Sequence, residues 1–322
     1  MKKIIYILLI AFSGTLCFND AKAQDPEFTQ FYSNPLYLNP AFAGSKRCPR
    51  ICLNYRNQWP SLSGTYVTTS ASYDQHVEGL YGGLGLLVTN DKAGEATLNT
   101  MNVSAIYAYQ LKLGRTFSIR FGVQATYFQK SLDWNKLTFG DMIDPRRGFV
   151  YQTGDVPRGG TVSNVDFSAG VLGFSENFYA GFSVHHLTEP NESLITGTSP
   201  MPMKFSGHAG AIIELGAGSK YSESSTLSPN ILYRSQGTFQ QLNMGLYITT
   251  KAICFGAWYR NKDSFIATIG IKADNVNIGY SYDVTVSKLT NASGGAHEIS
   301  FGLVFPCKPK KRTFRTISCP SF

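Results

Sequence analysis

Charge is scarce in this chain. Of its 322 residues only 16% are Asp, Glu, Lys or Arg, where about a quarter is usual for a soluble domain. The formal balance is +8, but it is held unevenly. The first 23 residues, with Lys2, Lys3 and Lys22 against Asp20, carry +2. The stretch after Cys307, with Lys308, Lys310, Lys311, Arg312 and Arg315, carries +5, which leaves about +1 for everything between. A near-neutral body with a basic tail lacks the spread of phosphate-neutralising bases that nucleic-acid binding needs, so nucleic acid is excluded as a partner. Long apolar runs are also missing. Beyond residues 4–16 no stretch approaches the roughly 20 apolar residues of a spanning helix, and no segment has a convincing helical period. If the chain sits in a membrane, it does so as a barrel of strands. There is no G-x-S-x-G elbow, no C-x-x-C pair and no His/Cys cluster at ligand spacing. The chain reads as no enzyme, with no metal and no cofactor.

What is present begins with an export signal over residues 1–23. Lys2 and Lys3 make its charged start, residues 4–16 its apolar run, and Ala21-Lys22-Ala23 its cleavage site. A lipoprotein signal at Cys17 is the rival, and Leu16 before that cysteine fits it poorly. Removal of Cys17 leaves Cys48, Cys52, Cys254, Cys307 and Cys319, an odd set with at least one unpaired thiol. Cys48 and Cys52, if extended, stand roughly 13 Å apart, too far to bridge. They can pair only across a turn, or each can pair elsewhere, for example with Cys307 or Cys319, so the pairing stays open.

Residues 24–45, QDPEFTQFYSNPLYLNPAFAGS, organise the rest. Pro26, Pro35 and Pro40 restrict the backbone, Asn34-Pro35 and Asn39-Pro40 start turns, and Gly44 can close one. Between them lie Phe28, Phe31, Tyr32, Leu36, Tyr37, Leu38 and Phe42. That is too much apolar surface for a loose tail and too many prolines for a strand or helix. The segment is expected to plug a hollow body or lie across its mouth, as a unit over residues 24–49.

From Arg50 onward the pattern has period two. Phe117, Ile119, Phe121, Val123, Ala125 and Tyr127 alternate with Ser118, Arg120, Gly122, Gln124 and Thr126; Ile253, Phe255, Ala257 and Tyr259 alternate with Cys254, Gly256, Trp258 and Arg260. One face is apolar, the other small or polar. Turn signals divide the body into about fourteen strands, near 50–58, 65–74, 82–90, 98–112, 116–129, 165–174, 178–186, 204–215, 227–236, 241–249, 251–260, 264–273, 275–282 and 296–305. Most have the nine to eleven residues of a tilted membrane strand. The expected fold is all-β: a transmembrane antiparallel β-barrel of about 14 strands over residues 50–306, with the plug-like segment before it and a basic tail, 307–322, after it. A soluble sandwich is the alternative, but it would bury its apolar faces between sheets. With both barrel ends on the periplasmic side, the segment and the tail are expected there together. The tail is a flexible end, or a contact to acidic partners or anionic lipid.

The segment 24–45, followed by RICLNYRNQWP (50–60) and SASYD (70–74), resembles the PorP/SprF family of Bacteroidota outer-membrane proteins. The resemblance continues through KSLDWNKLTFGDMID (130–144), GFSVHHLTEPNES (181–193), SPNILY (228–233), GYSYDVTVSKL (279–289) and GAHEIS (295–300), in order over the mature chain. It implies an accessory barrel of type IX secretion and gliding in the cell outer membrane. Such a barrel binds, helps export or anchors a secreted, adhesin-like cargo protein through its C-terminal targeting domain. Its partners are that cargo, other type IX components and outer-membrane lipid. The alternative is a small-molecule porin or a hydrophobic-compound transporter.

The residues expected to make partner or plug contacts are Phe28, Phe31, Tyr32, Asn34, Pro35, Asn39 and Pro40 in the segment, and Arg56, Asn57, Gln58, Trp59, Asp74, His186, Asp283, Thr285, Ser287, His297 and Glu298 in the body. Arg56 should face inward and hold acids or carbonyls of the segment, because a lone charge facing lipid is costly. Trp59 beside Pro60 suits an interface girdle. His185 and His186, adjacent on a strand, should point to opposite faces and so cannot easily share an ion. Asp283, Thr285 and Ser287 share one face by parity. They offer a partner surface, or simply a strand end bonded to neighbouring backbone, the plainer reading; the same holds for Asp74.

Overall fold

The structure, a computed structural model, describes residues 24–62, 64–94, 97–114, 116–154, 160–194, 197–215, 225–286 and 294–307. Fourteen strands close into one antiparallel barrel: β1 (Arg50–Gln58), β2 (Tyr66–Val77), β3 (Gly82–Ala93), β4 (Leu98–Lys112), β5 (Ser118–Leu132), β6 (Thr161–Phe174), β7 (Phe178–His185), β8 (Lys204–Ala211), β9 (Ser225–Gln236), β10 (Phe239–Thr250), β11 (Ile253–Arg260), β12 (Ser264–Ala273), β13 (Val276–Thr285) and β14 (Ala296–Val304). Each strand pairs with its neighbours in sequence. The ring closes where β1 meets β14, from Arg50 opposite Val304 to Gln58 opposite Ala296. Closure leaves no edge strand in the ring, which is what a lipid environment demands of backbone polar groups.

The period-two pattern becomes an inside and an outside. On β1, Arg50, Cys52, Asn54 and Arg56 are buried in the lumen, while Leu53 and Tyr55 face out. On β5, Phe121, Val123 and Tyr127 are 48%, 56% and 50% exposed, and their strand neighbours Arg120, Gln124 and Thr126 are buried. Apolar residues outside and polar ones inside are the reverse of a sandwich and fit a wall covered by lipid. No helix among the described residues is long and apolar enough to cross a membrane.

The two mouths differ. The longest connections, 133–160 and 186–203, open at one end (the loop mouth), and the first residue of β1 and the last of β14 lie at the other (the terminal mouth). A disulfide joins Cys48 to Cys307 across the terminal mouth, with Cα atoms 5.4 Å apart. It ties the end of the N-terminal segment to the strand that closes the ring. Cys52 and Cys254 are free and buried. Cys319, the expected export signal over residues 1–23 and the basic stretch from Lys308 lie outside the described residues.

Candidate functional site

Residues 24–49 thread the lumen from one mouth to the other. Gln24 and Asp25 line cavities at the loop mouth, and Gly44 donates its N–H to Asp74, which pairs with Arg50, near the terminal mouth. The expected placement of the whole segment beside the tail is therefore corrected: only its end, through Cys48, sits at the terminal mouth. The prolines also do more than forbid structure. Pro35 opens a one-turn helix, α1 (Pro35–Leu38), and Pro40 a 3-10 turn (Pro40–Phe42). At a helix start the missing N–H costs nothing. Asn39 joins the two turns. Its carbonyl oxygen Oδ1 accepts from Ala41 N–H (2.9 Å), and its Nδ2 donates to the wall carbonyls of Val171 (3.1 Å) and Phe182 (3.3 Å).

The wall is shaped to receive this stretch. Gly83, Ala108, Gly122, Gly170, Ser183 and Ser206 stand side by side across β3 to β8 in register. A Cβ on Gly122 would run into the backbone of Pro40 and Ala41, one on Gly170 into Asn39, and one on Gly83 into the Ala43 carbonyl. Ser183 Oγ donates to the Leu38 carbonyl (3.0 Å). Small residues let two backbones approach, so residues 38–44 run across this belt. Opposite, Phe31 packs edge-on to Trp258 (5.0 Å), Tyr32 edge-on to Tyr179 (5.7 Å), and Phe42 stacks on His208 (5.4 Å). Burying Phe28, Phe31, Leu36, Leu38 and Phe42, all 2% exposed or less, contributes on the order of 10 kcal/mol before ordering costs.

Charge holds the segment at three levels. Near the terminal mouth, Arg120 donates to the carbonyls of Ala43 and Gly44, and Asp74 accepts from Gly44 N–H (2.8 Å) while pairing with Arg50 (2.8 Å). Irregular backbone in a lumen needs such partners. In the middle, Glu298 accepts the N–H groups of Thr29 (2.5 Å) and Gln30 (3.1 Å). Thr29 Oγ1 donates to Asp283 (2.8 Å) and receives Arg56, which also pairs with Asp283 (2.9 Å) and Glu298 (3.5 Å). Arg260 reaches the same Asp283 at 3.4 Å. At the loop mouth, His186 lies between Asp25 (2.9 Å) and Asp166 (2.8 Å), Lys204 bonds Asp25, and Glu27 faces Arg234 (3.5 Å). Burial pushes the Asp25 carboxyl up, but His186 and Lys204 outweigh it and hold it well below the usual carboxylate range. Burial works against a charged His186, yet Asp25 and Asp166 raise it to about 9. For Glu27, burial is likewise overcome by Arg234 and Arg260, and the group sits below its ordinary value.

The remaining expected residues divide. Phe28 meets Tyr37 edge-on at 5.1 Å, and Asn34 Nδ2 donates to Ser70 (3.0 Å). Thr285 is buried with Asp283 on the lumenal face, and Ser287 lies outside the described residues. Asp283 and Asp74 bond the segment, beyond the strand-end reading. Arg56 faces inward, but the acids it holds belong to the wall, and from the segment it takes only the Thr29 hydroxyl. His297 and Asn57 pair in register on the outward parity, where His297 bonds Tyr280 (2.8 Å) and packs on Tyr282; they do not touch the segment. Trp59 has left-handed backbone (φ 57) and packs on Tyr66 (5.7 Å) at the lumenal mouth, so it is not a girdle residue. His186 also has positive φ (61), which turns its ring back inside with His185. Sequence reasoning missed Asp25, Arg120, Asp166, His208, Arg234, Trp258 and Arg260. The signal was available: most are charged or aromatic residues on the small, polar parity of strands.

Two lumenal cavities flank the head of the segment. The outer, of about 950 Å³, is lined by residues that include Gln58, Trp59, Tyr66, Asp91, Gln241 and Arg260. The inner, of about 220 Å³, lies between the segment and β3 to β8; Gln24, Asp25, Pro26, Tyr66 and Asp91 border both. Among the described residues no three His, Cys, Asp or Glu side chains form a metal site.

Comparisons with known proteins add the following. Solved barrels resemble the chain only distantly. Acinetobacter baumannii Omp33 shares 8% identity over 81% of this chain and 100% of its own (TM-score 0.44). A Pseudomonas aeruginosa FadL homologue shares 12% over 86% and 94% (TM-score 0.41). The KdgM porin shares 11% over 80% and 99% (TM-score 0.37). Scores this low carry no argument about function. No curated protein matches the sequence. The description "Type IX secretion system membrane protein PorP/SprF" belongs to a family model that matches residues 20–303, and the chain, an outer-membrane β-barrel and not an enzyme, belongs to that family.

Proposed function

We propose that this protein is an accessory barrel of the type IX secretion system that binds a secreted, adhesin-like cargo protein through its C-terminal targeting domain. It helps export that cargo or anchors it at the cell surface, alongside other type IX components. The observation that carries this reading is the lumen. The chain's own residues 28–44 occupy it, Arg50, Arg56, Asp74, Arg120, Asp283 and Glu298 are committed to holding them, and the free space gathers at the loop mouth. A closed barrel with a vestibule suits docking better than solute passage. Outer-membrane barrels carry their longer loops outside, so on this reading the loop mouth faces the exterior, where an anchored cargo would sit, and lipid solvates the outward wall.

The test is purification of the tagged protein from detergent-solubilised outer membranes, with mass spectrometry of what accompanies it and conductance in planar bilayers. A large secreted protein held by its C-terminal domain, with little ion current, is the expected result. A barrel that purifies alone and conducts steadily would replace this reading with the small-molecule porin or hydrophobic-compound transporter.

A further inference from the structure

The outer cavity holds a patch of side chains that neither the wall nor the segment uses. Tyr66 lies at its centre, on the β1–β3 side. Gln58 stands directly opposite Tyr66 on β1, and Asp91, opposite Thr68, lies diagonal to it on β3. Opposite Cβ atoms are about 5 Å apart and diagonal ones about 7–8 Å, so Gln58 and Asp91 flank the Tyr66 ring within reach of one guest. All three line the same cavity of about 950 Å³. Trp59, next to Gln58, packs edge-on with Tyr66 at 5.7 Å.

Each of these side chains has bonding capacity to spare. Asp91 accepts one hydrogen bond, from the Thr68 hydroxyl to Oδ1 (2.6 Å), which leaves Oδ2 open. Among the described residues the Gln58 amide, the Tyr66 hydroxyl and the Trp59 indole N–H have no hydrogen-bond partner. Tyr66 is 43% exposed, although its parity is lumenal. Trp59 is strained on two counts: a bulky residue disfavours positive φ, and a residue before proline is pushed toward extended backbone. That strain turns an indole into the cavity, and such strain collects at ligand sites. Water can serve Gln58 and Asp91, but it leaves the aromatic face uncovered. An apolar guest covers that face and strands the amide and the carboxylate. An extended polypeptide is recognised chiefly through a strand edge, and the closed ring has none. A sugar ring meets every demand. Its C–H face lies on an aromatic ring, and its neighbouring hydroxyls both donate and accept, as an amide does.

We propose that the outer cavity is a carbohydrate-binding site. One sugar ring stacks on Tyr66 beside Trp59, its hydroxyls donating to Asp91 and exchanging hydrogen bonds with Gln58. The cavity lies within the roughly 300–1,000 Å³ of sites that enclose a ligand of several rings, so it takes a short oligosaccharide, free or at the end of a larger glycan. The site stands independently of the docking role proposed above.

The experiment is isothermal titration of the full protein, purified from outer membranes in a sugar-free detergent, with maltotriose, cellotriose, mannotriose and triacetylchitotriose. Saturable binding of at least one is expected. It should weaken at least tenfold for the permethylated form of that sugar, which keeps the rings and loses the hydroxyl donors, and at least tenfold in Tyr66→Ala and in Asp91→Asn. Binding should also change the tryptophan fluorescence, and Trp59→Phe should abolish that change. Binding of none of the four, or equal binding of the native and permethylated sugar, overturns the site; both results come from the unaltered chain and hold even if a variant does not fold. Undiminished binding by folded Tyr66→Ala and Asp91→Asn places the sugar elsewhere and also overturns it. A secreted protein retained by the unaltered chain and lost from Tyr66→Ala, with no trisaccharide bound, gives the patch to a polypeptide: the carbohydrate site fails while the docking role stands. The source is read by glycan staining of what co-purifies. Glycan held by the unaltered chain and lost from Asp91→Asn assigns the guest to a larger glycan, and trisaccharide binding with no glycan retained assigns it to a free sugar.

Discussion

Replacing Arg56 by methionine removes a buried charge while keeping most of the side chain's length, and its effect can be worked from the contacts. Arg56 is 2% exposed and meets Asp283, Glu298 and the Thr29 hydroxyl. Breaking a buried ion pair from one side costs roughly 3–5 kcal/mol. The surroundings place this case at the low end. Asp283 keeps Arg260 at 3.4 Å, and Glu298 keeps two backbone N–H donors, at 2.5 and 3.1 Å. The strands retain their ladders, so the loss of about 3 kcal/mol should fall on the segment, making its opened state roughly 100-fold more populated. The assay is native-state proteolysis in detergent, with cleavage within residues 24–34 followed by mass spectrometry. A strong acceleration at the segment with an intact barrel is expected, and Arg56→Lys should lie between, since a point charge replaces a fork. A change of less than about threefold, worth under 1 kcal/mol, would show that Arg56 does not hold the segment. Ready cleavage of the unaltered chain would refute the threaded arrangement itself.

Three other outcomes follow from the same geometry. Gly122→Val places a side chain against the backbone of Pro40 and Ala41 and should cost about 1–3 kcal/mol or more in thermal or urea stability, whereas Gly207→Val, with nothing within 4 Å of its Cβ, should cost little. His186 is held at about 9 against an ordinary 6.5, so its contribution is complete below about 6.5 and disappears as pH rises through 9. Asp25 is held below its ordinary value, so its contribution is complete above about pH 4 and disappears as pH falls. Hydrogen exchange at residues 25–27, corrected for its intrinsic pH dependence, should show firmest protection between about pH 4 and 6.5, with the alkaline decline abolished in His186→Gln. Replacing Cys48 and Cys307 together by serine opens a loop spanning 259 residues. On chain entropy this removes up to about 5 kcal/mol, read as a lower urea midpoint than the oxidised parent.

The strands were legible because a wall between lipid and a polar lumen must alternate, and alternation needs no knowledge of the partner strand. Strands β1, β4 and β12 match their expected bounds, and β6 begins four residues earlier than expected, at Thr161. There, past the lipid, Thr, Ser and Asn occupy both faces and the alternation fades. The load of Phe28, Phe31 and Phe42 announced that residues 24–45 must be covered, but nothing local says by what. Thr29 and Glu298 are 269 positions apart. Trp59 and His186 were misplaced for one reason: each adopts left-handed backbone just past a strand, and parity fails at the first such residue. The belt through Gly122 and Gly170 was hidden because glycine on a small, polar face looks like filler until its neighbour's backbone is known.

The threading of residues 24–49 has a kinetic consequence. Their contacts run to Gln236, Asp283 and Glu298, at sequence separations of 211, 254 and 269, among the longest the chain permits. Long-range contacts of this kind return nothing until the intervening polypeptide is in place, and they slow folding accordingly. The segment precedes every strand of the barrel in sequence, yet the Thr29 and Gln30 groups find Asp283 and Glu298 only when β13 and β14 arrive. Until then it must be kept from other apolar surfaces. The step that joins β1 to β14 also encloses the segment, so barrel closure and lumen filling form one late, cooperative event.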